Sequence, residues 1–377
     1  MTVGLTAKTD HEGRTMSLRT TRRRSSAALA AIIGIVIALV AYAGVAQGSG
    51  HGKGNGKGHG KGRGQSFTIG LFGDMPYNAQ GKAEYPALLK DINDNDVAFS
   101  LFDGDLKAGG DGPCSDSLYT TAKANFNTLE RPLIVVPGDN DWTDCWGRYG
   151  PSTLPYSDPE ERLAFERQVF YPNSQSLGQR KLTLDRESAE GGQYAQYSEN
   201  VRWTYGPVLF IGLNVQGSND NYPHAGVDGE TRDAAEIARQ RAEHDAREAA
   251  NIHWLNESFA YAKSIRAKGV LIVWQADPDF NNEYKLAPES YDGFNQIVPA
   301  LRSATIAFPG QVALIHGDSH YFKLDKPLNS DSGKVLANFT RVETFGATNN
   351  HWVSATVDPR DPNLFEFQPR IVEANIG

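Results

Sequence analysis

From Phe67 onward, short apolar runs alternate with longer stretches whose apolar residues recur at helical spacing. The runs predict strands at Ser66–Phe72, Val97–Phe102, Pro132–Val136, Val270–Trp274, Val312–Ile315 and Trp352–Val357, with two more β pieces inside Val201–Val215 around the turn Tyr205-Gly206-Pro207. Phe365–Phe367 is expected to close a hairpin through Asp358-Pro359-Arg360-Asp361-Pro362. Helical spacing predicts helices over Ala83–Asp91, Leu118–Leu129 and Glu160–Phe170, and a long charged helical region over Thr231–Lys268 that breaks near Asn251. Strands alternating with helices predict an α/β sandwich.

Ahead of this body the pattern changes twice. Residues 1–26 form a basic segment ending in Arg22-Arg23-Arg24, and residues 27–46 form an uncharged apolar run. Basic then apolar is the order of a signal peptide or membrane anchor. About 20 apolar residues also suffice to span a bilayer, so cleavage, for instance at Ala41-Tyr42-Ala43, and retention as a transmembrane helix both fit. Either places the body outside the cytoplasm, secreted or held on the outer face of the cytoplasmic membrane. Residues 47–65 alternate glycine with His, Lys, Asn and Arg, a flexible linker by composition. The body is then residues 66–377.

Charge sharpens the division. The chain carries net −8, yet residues 1–65 hold ten Lys/Arg against two Asp/Glu, leaving 27 positive and 43 negative charges on the rest. An acidic body argues against nucleic acid as a partner and suits a cation-binding site. Cys114 and Cys145 are the only cysteines, compatible with one disulfide after export or with two free thiols in the cytosol.

Candidate chemistry sits where strands end. The segments Gly73-Asp74-Met75-Pro76-Tyr77, Asp103-Gly104-Asp105-Leu106-Lys107, Pro137-Gly138-Asp139-Asn140-Asp141 and His316-Gly317-Asp318-Ser319-His320 each follow an apolar strand. In open α/β sheets ligands bind beyond the carboxyl ends of strands. Carboxylates converging there repel one another unless a cation lies between them.

These blocks, in this order, resemble the calcineurin-like metallophosphoesterase family, whose strand ends read D-x-H, G-D-x-x, G-N-H-[DE], a lone His, and G-H-x-H. Asp74 matches the first Asp, Gly104-Asp105 the second block, Gly138-Asp139-Asn140-Asp141 the third and Gly317-Asp318-Ser319-His320 the last, while Gln275 stands where the lone His belongs. The resemblance implies a two-sheet β-sandwich flanked by helices, four layers αββα. It also implies two divalent metal ions, one held by Asp74, Asp105 and His320, the other by Asp105, Asp139, Gln275 and Asp318. Pro76, Asp139, Asn140, Gln275 and Asp318 depart from the family pattern, four of them by replacing histidine and Asp139 by replacing asparagine. What remains is oxygen-rich, the donor set of Mg²⁺, Mn²⁺ or Ca²⁺. The implied activity is hydrolysis of phosphate mono- or diesters, with Asn140, Asp141 and Lys107 as catalytic candidates. His316 is a candidate helper for negative charge, Tyr77 a donor at the site, His351 a cleft residue, and Asp277 and Asp279 substitutes for Gln275. The other reading is a catalytically inactive phosphoesterase-fold module that binds Ca²⁺ or a ligand at the cell surface. If Cys114 and Cys145 are joined, the bond pins together two loops that follow site strands.

Overall fold

The computed structural model describes residues 64–109, 113–146, 156–223, 233–278, 280 and 293–377. The expected signal or membrane segment, nearly all of the linker, and Asp279 lie outside these residues. Among the described residues no helix is long and apolar enough to cross a membrane.

Two mixed sheets form the centre. In the first, β1 (Phe67–Phe72), β2 (Val97–Phe102) and β3 (Leu133–Val135) run parallel, and β11 (Trp352–Val357) and β12 (Phe365–Arg370) extend the β1 edge antiparallel. The second orders β4 (Asp185–Arg186), β5 (Val201–Tyr205), β6 (Val208–Gly212), β7 (Gly269–Val273), β8 (Gln311–His316), β10 (Phe339–Glu343) and β9 (Lys323–Asp325), with β6, β7, β8 and β10 parallel. Parallel strands covered on both faces read as unbroken apolar runs, and β6 and β7 are buried throughout.

Alternation along each strand sends side chains to opposite faces. Ile69, Leu71, Phe99, Leu101, Phe210, Leu271 and Val273 meet between the sheets. Phe72, Phe102 and Val135 face outward against Leu88, Ile92, Tyr119, Phe126 and Phe170 from the helices Ala79–Asp94, Asp116–Phe126 and Pro159–Phe170. On the other side, Val270, Ile272, Val312 and Leu314 pack against Trp254, Leu255, Phe259 and Leu301 from the helices Ala234–Ser264 and Ile297–Ala307. Each such side chain contributes about 1.5–3 kcal/mol by leaving water. The result is four layers, αββα.

Two expectations change. The helix Ala234–Ser264 runs unbroken through Asn251. That residue is buried, donates to Asn214 O at 2.7 Å and accepts from Asn200 Nδ2 at 2.9 Å, so it fastens the helix to the sheet. The helix starts after Thr231, where Asp233 caps it by accepting from Ala235 N and Glu236 N at 2.8 and 2.9 Å. The helix Ile297–Ala307 and strands β9 and β10 had no counterpart in the sequence pattern.

Candidate metal centre

The carboxyl ends of β1, β2, β3, β7 and β8 point to one place. Asp74 and Asp105 are almost fully buried, Asp139 and Gln275 are buried, and Asp318 and His320 are partly exposed. The backbone there is unusual: Asp74, Asp105, Asp318 and His320 all take positive φ, at 51°, 68°, 81° and 64°. Side chains with a Cβ rarely occupy that region, and strain of this kind gathers at functional sites. In each case it turns the chain sharply off a strand end.

Hydrogen bonds knit the side chains into one network. Tyr77 Oη donates to Asp74 Oδ1 at 3.2 Å and to Asp105 Oδ2 at 3.0 Å. Asp318 N donates to Asp74 Oδ2 at 3.0 Å. His320 Nε2 lies 3.4 Å from Asp74 Oδ1. His320 Nδ1 is 2.8 Å from Ala347 O; a carbonyl only accepts, so Nδ1 carries a proton and Nε2 is the nitrogen that faces Asp74. Asp139 is held by Ser218 Oγ at 2.8 Å. A Cβ on Gly217 would sit 2.7 Å from Asp318 Oδ1 and 3.0 Å from Asp139 Oδ2, so those two carboxylates flank one point. All six expected ligands therefore belong to one cluster.

The two amides meet the carboxylates through nitrogen. Asn140 Nδ2 donates to Asp105 Oδ2 at 2.6 Å while Asn140 N donates to Asp105 Oδ1 at 3.0 Å. Gln275 Nε2 lies 3.3 Å from Asp105 Oδ2 and 3.5 Å from Asp318 Oδ1, and Gln275 Oε1 accepts from Gly217 N at 2.5 Å. Gln275 would have to turn its amide to offer oxygen to a cation.

The catalytic candidates are placed differently from one another. Asn140 touches Asp105 directly. Asp141 turns away from the cluster and accepts from Gly138 N, Asp105 N and Leu106 N at 2.8, 3.0 and 2.6 Å, clamping the loop after β2 onto the loop after β3. Lys107 is buried and its ammonium donates to Ala108 O at 3.1 Å. Trp352, beside His351, is a core residue whose indole donates to Asp91 at 2.6 Å. Cys114 and Cys145 are bonded to each other, joining the segment after β2 to the turn Thr143–Trp146. Closing a loop of that length stabilises by about 3–4 kcal/mol. Ser218, Gly217 and Thr344, which donates to Asp103 Oδ2 at 2.9 Å, were not among the expected residues. Ser218 and Gly217 follow another strand end, that of β6, which is the one signal that could have found them.

The electrostatics ask for positive charge. Burial, then the neighbouring carboxylates of Asp139, Asp74, Asp141 and Asp318, push the Asp105 carboxyl well above the usual carboxylate range. Burial and then Asp139 and Asp74 do the same to Asp318. Burial also raises Asp139, even with Ser218 donating to it. Asp139 Oδ1 is buried and has no hydrogen-bond partner. An orphaned carboxylate oxygen among like charges is costly, and a divalent cation would relieve both conditions. The donor set fits such ions.

A scan against protein-family models finds no match, and no curated protein matches by sequence. Among solved structures, GAP50, the anchor in the inner membrane complex of Plasmodium, is similar with 11% identity and a TM-score of 0.42, over 82% of this chain and 89% of its own. The 5'-nucleotidase from Candida albicans is similar with 10% identity and a TM-score of 0.39, over 80% of this chain and half of its own. Similarity this distant leaves function to be argued from the site.

Proposed function

We propose that this chain is an exported, metal-dependent phosphoesterase that hydrolyses phosphate mono- or diesters with an oxygen-rich pair of divalent ions, Mg²⁺, Mn²⁺ or Ca²⁺. The observation that carries the reading is the convergence of Asp74, Asp105, Asp139 and Asp318 from both sheets around an unpartnered carboxylate oxygen. Asp74, Asp105 and His320 would hold one ion. Asp105, Asp139 and Asp318 would hold the other, with Gln275 joining once its amide turns. When bound, such ions acidify water and offset charge building on a phosphoryl group.

The chain's own groups shape the rest. Tyr77 and Asn140 fix the two oxygens of Asp105 through four hydrogen bonds counted with the Asn140 backbone and Gln275. Asp141 holds the two loops that present Asp105 and Asp139. Lys107 follows β2 and adds positive charge near the same loop. Asn140 can donate a hydrogen bond to a phosphoryl oxygen and cannot give up a proton, so the departing oxygen needs either another acid or a low pKa of its own. Esters of acidic alcohols, such as aryl phosphates, are the expected substrates.

The N-terminal basic-then-apolar order and the Cys114–Cys145 bond support export. With the apolar run retained, a membrane is the one standing partner.

That same lack of an acid at position 140 favours a second reading, a module that holds a cation or ligand without turnover. The test is hydrolysis of a chromogenic aryl phosphate by purified protein with Mg²⁺, Mn²⁺ and Ca²⁺ supplied separately, beside Asp105→Asn. Cation-dependent turnover that Asp105→Asn abolishes supports hydrolysis. Cation binding without turnover supports the silent module. Full activity in Asp105→Asn sinks the site assignment.

A further inference from the structure

A second group of ligating atoms lies beside the carboxylate cluster, on the helix-covered side of the second sheet. Along β8, Ala313 and Ile315 point between the sheets while Val312 and Leu314 point toward the helices, so His316 shares the helix-covered side. Along β10, Val342 points between the sheets and Phe339 toward the helices, so Arg341 and Glu343 share that side too. The register pairs Glu343 with His316 across the two parallel strands. Asp277, just past β7, completes a group whose ligating atoms all lie within 4.8 Å of one another.

Two of the three residues are buried with an atom that nothing satisfies. His316 and Glu343 are fully inaccessible, and His316 Nε2 and Glu343 Oε2 have no hydrogen-bond partner. Leaving buried polar atoms unpaired forfeits the hydrogen bonds they made to water. The other atom of each residue is already committed in a way that suits a ligand. His316 Nδ1 lies 2.9 Å from Gly317 O, so it carries the proton and leaves Nε2 as a bare donor. Metal-bound histidines use this same second bond to fix their tautomer. Glu343 Oε1 accepts from Ser319 Oγ, which leaves Oε2 uncommitted.

Charge agrees. Arg341 lies beside the group, with Nη1 3.4 Å from Asp277 Oδ1, and its guanidinium is paired with Asp325 at 2.8 and 2.5 Å. With its acids ionised, the set Asp277, Glu343, Asp325 and Arg341 carries a formal charge of about −2, which one divalent ion would neutralise.

We propose that Asp277, His316 and Glu343 form a further site for a single divalent transition ion such as Zn²⁺, adjoining the carboxylate cluster but distinct from it. Imidazole nitrogen and carboxylate oxygen are both donors that ion accepts, and three protein ligands leave a fourth position for water. The two sites are neighbours: Asp277 N donates to Asp318 Oδ2 at 3.0 Å, Ser319, between Asp318 and His320, donates to Glu343, and His316 is two residues from Asp318. The inference does not depend on hydrolysis.

The test is Zn²⁺ stoichiometry of the full chain after chelation and readdition. It compares the wild type, His316→Leu, Asp105→Asn, and the double variant, each checked for native circular dichroism. The expected result is one equivalent fewer in His316→Leu than in wild type, and one fewer in the double variant than in Asp105→Asn. Glu343→Gln, gentler on packing, should lower Zn²⁺ affinity at least tenfold if His316→Leu does not fold. A ¹⁵N resonance of His316 Nε2 that moves on adding Zn²⁺ to Asp105→Asn supports the site directly. Equal stoichiometry with and without His316, or an unmoved resonance, overturns it whatever becomes of the carboxylate cluster.

Discussion

Under the proposed hydrolysis, the side chain at position 140 sets which leaving groups the cluster can release. Asn140 reaches Asp105 Oδ2 at 2.6 Å, so it borders the carboxylate cluster with a side chain that does not titrate. Asn140→His restores a group that titrates near neutral pH. It should raise kcat for alkyl phosphates, with their poor leaving groups, by tenfold or more while changing aryl phosphate turnover little. A uniform loss for both classes would show that Asn140 only holds Asp105. The same residues set a pH response. Burial raises the carboxyls of Asp105, Asp139 and Asp318 and pushes Asp141 to about 6 and Glu343 to about 7. A folded-state pKa above the unfolded one adds stability that is complete below about pH 4 and is lost as pH rises through the folded value. Chelated protein should therefore melt at progressively lower temperature between about pH 4 and 7, provided the fold survives the acid end. Saturating Mn²⁺ should flatten or reverse that slope, because ionised carboxylates bind it. Calorimetric scans at stepped pH with and without cation read both signs, and identical slopes would exclude cation binding at these acids.

At the scale of elements, the strand-end loops carry the site because they pack against each other with no room to spare. A Cβ on Gly138 would lie 2.0 Å from Asp105 Oδ1, and one on Gly317 would lie 1.9 Å from Asp74 Oδ2. Gly138→Ala should destabilise by about 1–3 kcal/mol, the usual cost of overpacking, and weaken cation binding more than an alanine on exposed Gly64, where an added Cβ meets nothing. Equal effects would mean that the loop after β3 yields freely. These loops also show what was legible beforehand. Apolar runs ending in Gly-Asp gave β1, β2, β3 and β8 and five of the six ligand candidates, while Gln275 came only from its place in the resemblance. Strand β10 was not legible because its buried Arg341 and Glu343 look like surface residues in a sequence. The helix Ile297–Ala307 was hidden by Pro299 and β-branched residues, which weaken a helical reading that packing against β7 and β8 later overrides. The break expected at Asn251 failed for a related reason: a polar residue in mid-helix found buried partners that no local rule can foresee. Ser218 carried only the weak signal of following the end of β6, because the place of its loop is set by tertiary packing.

On the scale of the whole molecule, the candidate ligands divide between the sheets. Asp74, Asp105 and Asp139 follow strands of the first, whereas Gln275, Asp318 and His320 follow strands of the second. The apolar layer between the sheets is continuous, yet at the carboxyl end of the strands it gives way to acids that repel. An ion bound there would join the sheets at the point where they otherwise push apart, and it would bind only when both are in register. Binding restricted to the folded state stabilises by about 2.7 kcal/mol at a hundred times Kd, which for a domain of this size corresponds to a rise on the order of 5 °C in Tm. EDTA should remove that increment and added Mn²⁺ or Mg²⁺ restore it. In Asp105→Asn most of it should be absent, and the chelated variant should melt no lower than chelated wild type, because the substitution removes a buried charge from among its like neighbours. Thermal scans of both proteins with and without cation give the four values needed. If Asp105→Asn were to gain as much as wild type from cation, the ion would be joining the sheets somewhere other than at this cluster.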